Sequence, residues 1–157
     1  MAFVFKNPHP EGLRVGDCIK RAIVIATDIN YHDVQVMLNR YKKVCAHPYD
    51  YWKEFIVDVL GGIKHSGDMQ HEYHGRRYTV DEFASEWPRS KAILRCSKHL
   101  VCAKDGNYYD TWDSGDKGVY IAWWILDYED VVKRIRTMYS KICQGLTLEK
   151  VKYRTVL

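Results

Sequence analysis

Residues 99–114 read HLVCAKDGNYYDTWDS, and the Asp105-Gly106 pair at their centre predicts a β-hairpin. A type I′ turn needs a positive φ at both of its central residues, which Asp and Gly tolerate better than most. The runs on either side of the pair are rich in aliphatic, β-branched and aromatic residues, which is typical of strands. This hairpin is the firmest structural expectation that the sequence offers.

The turn also predicts which residues face each other across the hairpin. Val101 is expected opposite Asp110, and His99 opposite Trp112. Because side chains alternate along a strand, His99 and Asp110 should share the face of Val101. They are then diagonal neighbours, and their side chains are close enough to interact.

The rest of the chain predicts an α+β fold, in which N-terminal helices pack on an antiparallel β-sheet and a C-terminal helix follows. Two further runs of strand character, residues 91–97 and 119–126, flank the hairpin. Apolar residues recur at helical spacing in several segments, some with cap residues, and the predicted helices start at or next to Cys18, Asn30, Asp50, Thr79 and Asp127.

The chain has 157 residues, of which 46% are hydrophobic and 13% aromatic, enough for the core of a single domain over residues 1–157. Residues 1–16 are expected to form an irregular N-terminal arm, and residues 144–157 a basic tail. No apolar run is long enough to span a membrane, and the N-terminus lacks the pattern of a secretory signal. We therefore expect a cytoplasmic protein with its five cysteines reduced.

Cys18 is the candidate nucleophile, because it lies at a predicted helix N-terminus. A thiol pKa of about 8.5 falls in such a place and falls further beside an imidazolium. His99 would act as the base, and Asp110 would orient its ring. Asp17 is a candidate N-cap, whose carboxylate would accept from a backbone N–H of the first turn. The predicted catalytic triad is therefore Cys18, His99 and Asp110.

GDCIKRAI at residues 16–23, together with the hairpin sequence, resembles small phage and prophage proteins of the papain-like cysteine peptidase superfamily. The hairpin is also similar to that of the bacteriocin-processing peptidases, and the resemblance extends loosely over residues 7–126. It implies a papain-like fold, and hydrolysis or transfer of an acyl group through a thioester on Cys18. It implies no particular substrate.

We expect the partner to be a peptide or protein substrate, or a host protein target in the host cytoplasm if the chain is phage-encoded. No cofactor is expected, and the sequence leaves the oligomeric state open.

The oxyanion hole departs from the pattern of the superfamily. Many members carry a Gln six positions before the nucleophile, where this chain has Gly12. The backbone N–H of Cys18 would be one donor, and Asn7 is our candidate for the second. Losing one donor costs on the order of a hundredfold in rate. A catalytically inactive binding module of the same fold, which inhibits or recruits a host protein, is therefore the alternative.

Aromatic residues near the hairpin are expected to form core and cleft wall, with Trp112 and Tyr108 lining the substrate cleft. Asp113 is interpreted as a turn residue, and it would replace Asp110 as the orienting group only if Asp110 fails.

Parts of the sequence also resemble a zinc site and a nucleic-acid-binding face. Cys96, His99 and Cys102 are spaced by three residues, as zinc ligands can be. In an extended segment the two cysteines face one way and His99 the other, so we expect no metal site. The last quarter of the chain is basic, but with a net charge of only +4 we expect a solvated face and consider nucleic acid an unlikely partner. Its basic residues are Lys133, Arg134, Arg136, Lys141, Lys150, Lys152 and Arg154.

Overall fold

The computed structural model describes residues 3–151 of the chain. Its strands are β1 (Phe3–Phe5), β2 (Ile63–Lys64), β3 (Lys91–Cys96), β4 (His99–Lys104), β5 (Asn107–Asp110) and β6 (Ile121–Trp124). They form one six-stranded sheet in the order β1-β5-β4-β3-β6-β2.

The helices are α1 (Cys18–Thr27), α2 (Tyr31–Val44), α3 (Tyr51–Glu54), α4 (Val80–Glu86) and α5 (Tyr128–Met138). A single 3₁₀ turn, Pro48–Asp50, precedes α3, and a π-helical turn, Phe55–Val59, continues it. This content confirms the α+β class expected from the sequence.

Two helices begin at the side-chain caps that the sequence predicts. Asn30 accepts a hydrogen bond from the backbone N–H of Asp33 at the start of α2. At the start of α4, Thr79 and Glu82 form the reciprocal hydrogen bonds of a capping box. Each cap satisfies backbone groups that the first helical turn leaves without partners.

The hairpin has the predicted register. Cys102 pairs with Tyr109 and Ala103 with Tyr108, and the connecting Asp105 and Gly106 have φ values of 55° and 78°. Both central residues of the turn are thus left-handed, as a two-residue turn of this kind requires.

The sheet is mixed, so the expectation of a purely antiparallel sheet is wrong. Strand β1 runs parallel to β5, with Phe3 beside Tyr108 and Phe5 beside Asp110. The backbone N–H of Lys6 then donates to the carbonyl of Asp110 at 2.9 Å. The expectation of an irregular arm over residues 1–16 is therefore wrong for Phe3–Phe5, which form a strand. This strand is stabilised by a partner about a hundred residues away, and so short a run of apolar residues does not reveal that partner.

Both faces of the sheet are covered. Ile93 and Cys102 belong to a core cluster formed with α1, α2 and α5, whereas Leu94 and Val101 belong to a second cluster beneath α4. Because side chains alternate, neighbouring residues of one strand enter different clusters. The buried strands accordingly read as continuous apolar runs.

The described part of the expected basic tail packs back on the fold. The backbone N–H of Val151 donates to the carbonyl of Asp28 at 2.7 Å, and Leu148 is buried in the α1-side cluster. Lys152 and Arg154, which belong to the same expected tail, lie outside the described residues. Within residues 3–151 no helix is both long enough and apolar enough to cross a membrane.

Candidate active site

Cys18 is the first residue of α1 and is half-buried. Its helix packs against β4, so Cys18 is held next to the strand that carries His99. As the first helical residue, Cys18 has a backbone N–H without an intrahelical acceptor, and such a group is available to an oxyanion.

Asp17 occupies the N-cap position of α1, but the expected capping hydrogen bond is absent. Its carboxylate forms a buried ion pair with Arg21 and accepts from the hydroxyl of Tyr31 at 2.8 Å. The sequence interpretation of Asp17 as a side-chain cap is therefore wrong. A guanidinium one turn along the helix is a stronger partner for a buried carboxylate than a backbone N–H.

His99 is the first residue of β4 and lies between the two other residues of the predicted triad. Its Nε2 is 2.5 Å from Oδ2 of Asp110, and it lines the same cleft as Cys18, near enough for each of the two to shift the pKa of the other. The structure thus brings together all three predicted catalytic side chains. In this arrangement one ring nitrogen faces the carboxylate and the other is left for the thiol.

Asp110 is almost fully buried, at 2% exposure. Besides His99, it accepts from the hydroxyl of Ser114 at 2.7 Å and from the backbone N–H of Thr111 at 2.8 Å. The guanidinium of Arg21 lies 3.5 Å from its Oδ1. A carboxylate with this many donors is fixed in place and can fix the imidazole in turn.

The surroundings of His99 favour its charged form. Burial alone would lower the pKa of the imidazole, but hydrogen bonds to Asp110 and Cys18 and the charges of both raise it to about 9. Because this pKa is above neutrality, His99 is an imidazolium at neutral pH.

The surroundings of Cys18 favour its thiolate. Burial would raise the pKa of the thiol, but hydrogen bonds from His99 and the backbone of Leu100, with the charges of His99 and Arg21, hold it below its usual value. By contrast, burial raises the pKa of Cys96 and of Cys102 to about 12. Cys18 therefore has the electrostatic environment of a nucleophile, and those two cysteines do not.

A cleft of about 270 Å³ opens beside the pair. It is lined by Cys18, Ile19, Asp50, Trp52, Arg95, Lys98, His99 and Leu100. Sequence reasoning missed Asp50, Trp52 and Arg95 as site residues. Asp50 and Trp52 come from the α3 region and Arg95 from β3, and only the three-dimensional fold brings them to Cys18. Lys98 could have been found from its position next to His99.

Of the two residues predicted to line the cleft, Trp112 borders the site and Tyr108 does not. The ring of Trp112 lies 4.8 Å from that of His99 and is 42% exposed, so it borders the site. Tyr108 is buried at 5% exposure under α4, packs against Phe3 and donates to Asp113 at 2.6 Å. The assignment of Tyr108 to the cleft is therefore wrong, because α4 covers that part of the sheet face.

Asn7 does not fit its expected part in the oxyanion hole. Its amide nitrogen donates to the carbonyl of Gly12 at 3.1 Å and to that of Leu13 at 3.0 Å. Both amide hydrogens thus hold the bend of the N-terminal segment, where Gly12 has a φ of 67°. The assignment of Asn7 as second oxyanion donor is wrong, because its donors are already used.

Two further sequence interpretations concern the end of the hairpin. Cys96 and Cys102 lie in different core clusters and not on one face, because the turn at Ser97-Lys98 separates their strands. In the described part of the chain no group of three or more His, Cys, Asp or Glu residues is placed to hold a metal ion. Asp113 accepts from Tyr108 and from the backbone of Gly115, as a turn residue does.

Comparison with known proteins gave no relative. The sequence matches no protein-family model, and neither a curated protein nor a solved structure is significantly similar to it. The geometry of Cys18, His99 and Asp110 is therefore the basis for a proposed function.

Proposed function

We propose that the protein is a papain-like thiol hydrolase or acyl transferase that cleaves a peptide or amide bond through a thioester on Cys18. The observation that carries the proposal is that Cys18 and His99 lie together at an open cleft, with His99 hydrogen-bonded to Asp110. A nucleophile, a base and a group that orients the base are the three parts that such chemistry needs.

In the first half of the reaction the Cys18 thiolate attacks the carbonyl carbon of the substrate, and the carbonyl electrons move to oxygen. The backbone N–H of Cys18, at the positive end of α1, stabilises the resulting oxyanion. As the intermediate collapses, the carbon–nitrogen bond breaks and the His99 imidazolium gives its proton to the leaving amine. The products of this half are a free amine and an acyl thioester.

In the second half the now neutral His99 removes a proton from an incoming water, or from an acceptor amine if the protein is a transferase. The oxygen or nitrogen attacks the thioester, the carbon–sulfur bond breaks, and the sulfur leaves as a thiolate. The proton remains on His99, so the ion pair is regenerated. Asp110 stays a carboxylate throughout and stabilises the imidazolium.

The papain-like assignment is supported by the order of the site residues along the chain. Cys18 begins a helix, and His99 and Asp110 follow on adjacent antiparallel strands that the helix covers. This is the order that the sequence resemblance implies, and it supports the proposal.

One observation favours the alternative, a catalytically inactive module on the same fold that binds a host protein. The amide of Asn7 is occupied by two carbonyls, and Gly12 has no side chain to replace it. Oxyanion stabilisation then depends on donors other than Asn7, among them the backbone N–H of Cys18.

Alkylation by iodoacetamide, followed by mass spectrometry, tests the proposed thiol chemistry. Cys18 should be modified faster than Cys45 or Cys143 near neutral pH, because its thiolate is stabilised. Equal rates at the three cysteines would contradict the proposal. The Cys18→Ala variant separates the two functions: loss of the biological effect with an intact fold supports catalysis, and an unchanged effect supports the binding module.

A further inference from the structure

Arg95 contributes a cation to the wall of the cleft beside Cys18. Its guanidinium lies over the indole ring of Trp52, with 5.6 Å between the guanidinium carbon and the ring centroid. Within residues 3–151 no carboxylate forms an ion pair with it. A guanidinium stacked on an aromatic face keeps its in-plane N–H donors for a ligand and is oriented before the ligand arrives.

Lys98 contributes a second cation on the same cleft. It occupies the tight turn between β3 and β4, next to His99, and it is exposed. Like Arg95, it has no ion-pair partner in the described part of the chain. Two unpaired cations therefore face the place where a substrate of Cys18 must lie.

Asp50 is the only carboxylate among the lining residues of this cleft. It lies more than 4.0 Å from the charged atoms of Arg95 and of Lys98, since no ion pair joins it to either. With Cys18 and His99 neutralising each other, the lining carries one net positive charge. Such a charge suits a single carboxylate better than a polyanion.

The volume of the cleft also suits a small group that carries one carboxylate. A volume of about 270 Å³ lies just below the range of about 300–1,000 Å³ that is common for small-molecule pockets. It has room for an amino-acid side chain or the end of a peptide.

From these observations we infer that the cleft selects a substrate that carries one carboxylate close to the bond attacked by Cys18, and that Arg95 and Lys98 bind this group. The carboxylate belongs either to an acidic side chain or to a chain terminus. The inference rests on the proposed thiol chemistry and adds a substrate class to it.

Two small alkylating reagents with the same leaving group test this selection. Iodoacetate carries a carboxylate and iodoacetamide a neutral amide, so the ratio of their rates at Cys18 measures the preference for the anion. The ratio also cancels changes in thiol reactivity that affect both reagents. Because the His99 imidazolium itself attracts iodoacetate, the decisive quantity is how the ratio changes when the cleft cations are removed.

The Arg95→Gln and Lys98→Gln variants should each lower the iodoacetate-to-iodoacetamide ratio, and the double variant should lower it by about fivefold or more. Asp50→Asn should raise the ratio, because it removes the opposing charge. Arg89→Gln is the matched control: Arg89 is exposed in the turn after α4, outside the cleft lining, and its loss changes the net charge equally. Circular dichroism and thermal unfolding of each variant establish that it is folded.

The outcomes separate the two proposals. If Cys18 reacts with both reagents no faster than Cys143, the proposed function is overturned. If Cys18 is fast with iodoacetamide, but the Arg95→Gln and Lys98→Gln variants keep the ratio of Arg89→Gln, the proposed function stands and carboxylate selection is overturned.

Larger reagents distinguish the two sources of the carboxylate. Chloromethyl ketones of Asp and Asn present an acidic or a neutral side chain, and iodoacetyl-glycine and iodoacetyl-glycinamide present a charged or a neutral terminus. Faster labelling by the Asp reagent assigns an acidic side chain, and faster labelling by iodoacetyl-glycine assigns a chain terminus. Equal rates within both pairs would overturn the inference.

Discussion

The carboxylate of Asp110 controls the charge state of the candidate active site. It is 2% exposed and is bound by His99, Ser114, Thr111 and Arg21. Its hydrogen bond is the largest of the contributions that raise the pKa of His99. The positive charge that favours the Cys18 thiolate therefore depends on a residue that need not touch the substrate.

Replacing Asp110 with Asn should lower the pKa of His99 from about 9 toward its ordinary value of 6.5 or below. The amide supplies no negative charge, while the burial that disfavours the imidazolium remains. The measurement is an NMR titration of the His99 ring. Asp113→Asn is the control, because Asp113 binds Tyr108 instead and its loss should leave the titration of His99 unchanged. An unshifted His99 in Asp110→Asn would refute this coupling.

The pH dependence of Cys18 alkylation follows from the same charges. The pKa of the Cys18 thiol lies below its usual value, so alkylation should extend to lower pH than for an ordinary cysteine and decline as the pH falls through the lowered pKa. His99→Gln should shift this decline to higher pH. At the alkaline end, His99 loses its proton as the pH rises through about 9, so acyl transfer should decline there although alkylation continues. Iodoacetamide rates between pH 5 and 10 measure the first two effects, and a profile that His99→Gln leaves unchanged would exclude the ion pair.

Helix α1 carries both the candidate nucleophile Cys18 and the cation that binds Asp17 and Asp110. Arg21 follows Cys18 by nearly one helical turn and is 7% exposed. It binds Asp17, Asp110 and the carbonyl of Val15. The helix thus connects the N-terminal segment to the hairpin through a single buried guanidinium.

The Arg21→Met variant should lose about 3–5 kcal/mol of unfolding free energy, because the buried Asp17 carboxylate remains without its cation and Asp110 keeps only the His99 imidazolium. Urea unfolding measures the loss. Lys20→Met is the control on the same helix, since within residues 3–151 Lys20 forms no ion pair and lies 5.9 Å from the ring centroid of Tyr31, so its loss should change stability by less than about 1 kcal/mol. Similar losses in the two variants would show that Arg21 is not the centre of this network.

Elements whose signals are local could be predicted, and those that depend on distant partners could not. The Asp105-Gly106 turn predicted the register that joins His99 to Asp110, because a tight turn fixes its own strands. Arg21 was missed, because its importance comes from a carboxylate on another element. Tyr108 was misassigned for a related reason: alternation gives its face of the sheet, but only the position of α4 shows that this part of the face is covered.

The two core clusters lie on opposite faces of the sheet and share its strands, so a change in one cluster affects the strands that support the other. Leu94 is fully buried on the α4 side, while its neighbour Ile93 is fully buried on the α1 side. The strand that joins them, β3, also supports β4 and with it His99.

Leu94→Ala should therefore cost about 2–5 kcal/mol of unfolding free energy, as is usual for a cavity in a core. Thermal or urea unfolding measures it. Ile63→Ala is the control, because Ile63 is 60% exposed and its truncation should change stability by about 0.5 kcal/mol at most. A loss below about 1 kcal/mol at Leu94 would mean that the α4-side cluster contributes little to the fold.

The parallel pairing of β1 with β5 has a consequence for the newborn chain. A ribosome releases the N-terminus first, so β1 and Cys18 emerge before β5 and Asp110 exist. At about 5–20 residues per second, the interval is on the order of ten seconds. During that time Cys18 is an ordinary thiol without an imidazolium beside it. Cys18 therefore acquires the surroundings that lower its pKa only late in the synthesis of the chain, once the hairpin has left the ribosome.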